Sequence, residues 1–113
     1  MKFTTAQRGA VTVIGVQGNL MGGPDASSLN DTLHELVEAG RTAVVIDLQE
    51  VQFINSSGLG LLIGGITTLK NAGGALRIAN ASEKITTLIK ITKLAALIEN
   101  FPSVDAAVAS FRR

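Results

Sequence analysis

Residues 44–65 read VVIDLQEVQFINSSGLGLLIGG, and the hydrophobic period changes inside this run. Its first part belongs to TAVVIDL at 42–48, a near-continuous apolar stretch rich in β-branched residues. Such a stretch suits a central strand covered on at least one face. From Leu59 onward the apolar residues fall at Leu59, Leu62, Ile63, Ile66 and Leu69, which is the stripe of a helix. Thr67, Lys70 and Asn71 fall off that stripe, and Gly73-Gly74 stops the helix. The junction between strand and helix is FINSSGLG at 53–60, with one amide, two adjacent hydroxyls and two glycines.

The flanking sequence repeats the alternation of strand and helix. VTVIGVQG at 11–18 reads as a strand, and MKFTTAQ before it pairs as an edge strand with Arg8-Gly9 at the turn. Gly22-Gly23 then breaks the chain, and Pro24 suits the first position of a helix. Over 25–39 that helix carries Leu29, Leu33, Leu36 and Val37 at helical spacing, and Gly40 ends it. After the second helix, ALRIAN at 75–80 reads as a further core strand. SEKITTLIKI at 82–91 then forms a short helix capped by Ser82, with Ile85, Leu88 and Ile89 inward. AALIE at 95–99 fits either a short strand or a loop crossing the sheet end. SVDAAVASF at 103–111 closes the chain as a helix capped by Ser103, with Val104, Ala107, Val108 and Phe111 inward. The expected class is α/β: a mixed sheet with a parallel core and about four helices mainly on one face, forming one domain over residues 1–113.

Composition narrows the function classes. A chain of 113 residues can bury a core without staples. It has no cysteine, so thiol chemistry and disulfides are excluded, and a single histidine weakens any metal or triad reading. Ten basic against nine acidic residues give a net charge of +1, and there is no Trp or Tyr. Neither feature suits direct binding to nucleic acid. Lys84, Lys90 and Lys93 read as one solvated region around the third helix. No apolar run approaches a membrane span and the first residues do not form a secretory signal, so no membrane insertion and a cytoplasmic location are expected.

The chemistry concentrates at the junction. Ligand sites in such sheets gather outside the carboxyl ends of the strands, where Asp47 closes one strand and Asn55, Ser56 and Ser57 open a helix. The plainest role for these residues is capping, by Asn55 or by Ser56, with Gly58 and Gly60 serving close packing or an unusual dihedral. The functional alternative is phosphorylation. A phosphoserine in a first helical turn sets its charge where unpaired backbone donors point. Composition does not choose between Ser56 and Ser57. Catalysis by a serine nucleophile is disfavoured, since the one histidine, His34, lies within the first helix beside Leu33, and no G-x-S-x-G is present. No nucleotide-binding glycine motif occurs either. The chain therefore reads as a non-enzyme with no metal and no stably bound cofactor.

The run at 44–65, with GNL at 18–20, GGALRIAN at 73–80 and PSVDAAVASF at 102–111, resembles the STAS domain family, and within it the bacterial anti-sigma factor antagonists. The resemblance covers nearly the whole chain. It implies that the second serine of the pair, Ser57, is the phosphorylation site, leaving Ser56 as the structural residue. It implies as partners an anti-sigma factor with serine-kinase activity, which uses ATP, and a serine phosphatase that resets the switch. Asn55, Ser56, Gly58, Leu59, Met21, Gly22, Gly23, Asp25 and Asp47 are then expected to form the phosphosite environment and partner-binding surface. Two positions depart from the family pattern. Asn55 stands where aspartate is usual, keeping the size and losing a charge beside the phosphoacceptor. Met21 stands where many members carry aspartate in G-x-L-D. Met21 reads as an exposed partner anchor or as loop packing, and Asp25 as a nearby acid or a first-turn helix acid. The resemblance also admits a non-phosphorylated adapter or scaffold subunit of a signalling or lipid-transport complex, and weak self-association.

Overall fold

The computed structural model describes residues 2–21 and 23–112. Lys2–Arg8 (β1) and Val11–Gln17 (β2) form an antiparallel hairpin with Arg8 opposite Val11, leaving Gly9 and Ala10 as the turn. Gly9 takes φ +65°, the left-handed conformation that two-residue hairpin turns demand. Pro24 opens α1 (Pro24–Glu38) at a position where its missing N–H has no helical partner to lose. The chain then runs through β3 (Ala43–Glu50), α2 (Ser56–Asn71), β4 (Ala75–Ala79) and α3 (Glu83–Ile91). It ends with β5 (Asn100–Phe101) and α4 (Val104–Ala109), which tightens into a 3₁₀ turn at Ser110–Arg112. Ser82 and Ser103 cap as expected: the Oγ of Ser82 accepts from the Ile85 N–H at 3.2 Å, and that of Ser103 from the Ala106 N–H at 3.0 Å.

The strands lie side by side in sequence order, with β1 antiparallel and β2 to β5 parallel. Residues 95–99 resolve as loop, not strand. The Glu99 carbonyl accepts from the Ile78 N–H at 2.9 Å, and pairing as β5 begins only at Asn100. Ile98 is buried in the core, which draws the preceding loop across the sheet end.

Strand parity separates two cores. On one face Ile14, Val16, Val44, Ile46 and Ile78 pack against Leu29 and Leu33 of α1, Leu62 and Leu69 of α2, and Ile85 and Ile89 of α3. On the other, Val11, Val45 and Ala79 pack against Ala107 and Val108 of α4. Three helices thus share one face and α4 alone covers the other. Arg77 of β4 ties α4 down. Its guanidinium carbon lies 4.1 Å from the Phe111 ring centroid, and its Nη1 donates to the Ser110 Oγ at 3.0 Å. Its Nε sits 3.2 Å from a Glu99 carboxylate oxygen. Among the described residues no helix is long and apolar enough to cross a membrane.

Leu62 is 1 % exposed in the middle of the larger core. Leu62→Ala is expected to lower the unfolding free energy by about 2–5 kcal/mol in a urea titration. Arg8→Ala removes only the exposed pair with Asp105 and is expected to cost under about 1 kcal/mol. Equal losses would contradict the assignment of the core.

Candidate functional site

Two loops at the carboxyl end of the sheet are joined before the second helix starts. The Leu20 N–H donates to the Phe53 carbonyl at 3.0 Å, and the Asn55 N–H donates back to the Leu20 carbonyl at 3.3 Å. Leu20 and Ile54 form an isolated parallel bridge there, both side chains buried. The loop after β2 is therefore fixed against the loop after β3.

On this base Asn55 starts α2. Its backbone is extended, and its Oδ1 accepts from the Gly58 N–H at 2.8 Å. Its own carbonyl accepts from the Leu59 N–H at 2.9 Å. This satisfies one of the N–H groups that a helix start leaves unpaired. The cap is thus Asn55, and the reading of Ser56 as the structural residue is corrected: Ser56 is exposed in the first turn, and its hydroxyl bonds to no described residue. Ser57 beside it is also exposed, with a hydroxyl equally unengaged among the described residues. The first turn of α2 carries no acidic residue, so no carboxylate of its own offsets the positive field of its backbone N–H groups.

Gly58 is buried directly beneath Leu20. A Cβ at that position would collide with the Leu20 carbonyl and come within 2.9 Å of the Ile54 Cγ1. Gly60, two residues on, faces open space. The two glycines of the motif therefore differ: the first is a steric requirement and the second is not.

The other expected site residues divide. Met21, 45 % exposed, follows Leu20 directly, and this favours the surface reading over loop packing. Gly23 precedes α1 at φ +78° and is exposed. Gly22 lies outside the described residues, as does the side chain of Asp25, which falls in the first turn of α1. Leu59 is 4 % exposed and belongs to the core, so it supports the turn from below. Asp47 is occupied elsewhere. The strand continues past it to Glu50, and its Oδ1 accepts from the Gln49 N–H and the Asn80 Nδ2, both at 3.0 Å. It joins the ends of β3 and β4 and contacts none of residues 55–59 through a hydrogen bond. Asn80 holds φ +59°, a conformation asparagine tolerates better than most residues. Among the described residues no group of acids or histidine could hold a metal ion.

A feature absent from the expected set adjoins the turn. Asn55 and Ser56 form one wall of a groove of about 420 Å³ between the start of α2 and α3. The signal for it lay in the spacing of Lys84, Leu88 and Ile91. These residues stand at i, i+4 and i+7 along one edge of α3, beside the inward stripe of Ile85 and Ile89.

Asn55→Ala is expected to cost about 1 kcal/mol through loss of the cap. Gly58→Ala is expected to cost about 1–3 kcal/mol or more, because backbone must move. Gly60→Ala is expected to be neutral or stabilising by up to about 1 kcal/mol, alanine being the better helix former. Urea titrations of the three variants check the order, and a neutral Gly58→Ala would refute the close approach.

Comparison with known proteins agrees with this geometry. Residues 2–107 match the family model described as the STAS domain. The anti-sigma-B factor antagonist of Bacillus subtilis is 34% identical over 87 residues, covering 74% of this chain and 79% of that protein. A crystal structure of a Thermotoga maritima protein superposes with a TM-score of 0.89 at 19% identity, over 98% of this chain and 95% of that one. The Bacillus cell fate determinant SpoIIAA, in its phosphorylated form, superposes with a TM-score of 0.74 at 18% identity, over 96% of this chain and 98% of its own. At these identities the two structures establish likeness of fold. With the family model spanning almost all of the described sheet and helices, the chain belongs to the STAS domain family.

Proposed function

We propose that this protein is an anti-sigma factor antagonist whose hold on its partner is controlled by phosphate at Ser57. The observation that carries the reading is the exposed, unengaged Ser57 hydroxyl in the first turn of α2, on a turn held rigid by Asn55, Gly58 and Leu20. The name of the Bacillus subtilis relative and the phosphorylated form of SpoIIAA support it.

In this reading the partner is an anti-sigma factor with serine-kinase activity that brings its own ATP. The Ser57 Oγ attacks the γ-phosphorus, a new O–P bond forms, the bond to the β-phosphate oxygen breaks, and ADP leaves. The hydroxyl proton passes to a base of the kinase. The chain is the substrate and the binder, not the catalyst. A serine phosphatase returns the hydroxyl by hydrolysis.

Phosphate adds about −1.5 to −2 charges at neutral pH. At this turn it meets helix N–H groups and no first-turn acid, so the local fold tolerates it. The effect falls on the partner, which must desolvate or repel the dianion. Asn55 bears on this directly. Where a carboxylate would repel the new phosphate, the amide keeps the cap and adds no charge. The same residue favours a second reading, an adapter that is never phosphorylated, if the kinase needs a carboxylate at that position.

Incubation with the cognate kinase-type anti-sigma factor and ATP, followed by intact mass and peptide mapping, separates the two. One added phosphate on Ser57 is expected, lost in Ser57→Ala and kept in Ser56→Ala. Ser57→Asp is expected to weaken partner binding by roughly tenfold or more. No phosphate under active kinase, with stable partner binding, would replace the switch by the adapter.

A further inference from the structure

The groove beside the proposed phosphosite is mainly apolar. Its floor and walls include Phe53, Leu59, Ile85, Leu88 and Ile91, and the charged residue among its lining is Lys84. Phe53 is 43 % exposed and Ile91 is 72 % exposed, so large apolar side chains stand at the rim in water. Lys84 is exposed and forms no ion pair with a described residue.

Position identifies the occupant. Asn55 and Ser56 belong both to the groove wall and to the turn that presents Ser57. A protein that encloses the Ser57 Oγ must cover Ser56, and the groove opens from there along α3. We infer that the protein that reads Ser57 also lays an amphipathic segment in this groove, with apolar side chains between Phe53 and Ile91 and a carboxylate toward Lys84. This deepens the proposed function and rests on it.

The charge and the rim both select that chemistry. An acidic group complements the one lysine, and buried apolar anchors supply the affinity. The open, half-exposed rim suits a segment lying lengthwise better than an enclosed small molecule. The groove then acts as a dock separate from the phosphoacceptor. It would hold the partner in register while the turn reports the phosphate.

The test measures affinity for the cognate kinase-type anti-sigma factor without ATP, and then kcat and KM for phosphorylation. Ile91→Glu is expected to weaken binding by about tenfold to a hundredfold, and Lys84→Glu by about tenfold. Lys84→Arg, which keeps the positive charge, is expected to bind within about twofold of wild type. Phosphorylation of Ile91→Glu should show a raised KM with kcat little changed. Thermal unfolding midpoints equal to wild type exclude misfolding, both side chains being exposed. Wild-type affinity in Ile91→Glu and Lys84→Glu, with Ser57 still phosphorylated, overturns the dock and leaves the switch intact. Failure of the wild-type chain to bind the anti-sigma factor overturns both. Self-association that Ile91→Glu abolishes while partner binding persists also overturns the inference, by assigning the groove to a second copy.

Discussion

Everything at the candidate site depends on one close approach, the Leu20 carbonyl resting on Gly58. That carbonyl accepts the Asn55 N–H, and the space beneath it exists because residue 58 has no side chain. The contact joins the loop that leads into α1 to the turn that begins α2. Met21 and Ser57 therefore sit on one surface although they are far apart in sequence. Interiors are packed too densely to absorb an extra carbon by drift, so the approach is effectively a fixed distance.

The division of the sheet into two faces explains why this surface is available. The larger core, under α1, α2 and α3, carries most of the buried aliphatic side chains. The smaller core under α4 is supplemented by Arg77, which stacks on Phe111 and bonds Ser110. Asp47 points by strand parity toward that second face and is held by Asn80 and Gln49. Asp47, three residues before the end of β3, is thus engaged within the sheet, and the first turn of α2 has no acid of its own.

Much of this was legible in the sequence. The change of period within residues 44–65 located β3, α2 and the turn between them, because strand and helix periodicities are distinct and both runs are long. Ser82 and Ser103 were legible as caps because each precedes an apolar helical stripe. Which residue caps α2 was not legible, since asparagine and serine both serve and only the backbone path decides. Leu59 was legible as core from its place in the apolar stripe, and it lies there. The short β5 was invisible because two residues carry no period, and its place is set by Ile98 entering the core. The groove needed the packing of α3 against the start of α2, which no local pattern encodes, although the off-stripe Ile91 hinted at it.

The amide cap has one more consequence. A carboxylate that accepts backbone N–H bonds is held below its usual titration range, so a turn it caps loosens as acid protonates it. Asn55 does not titrate, and its bond to Gly58 is the same at every pH the fold survives. The start of α2 is therefore capped in a way that acidification leaves untouched.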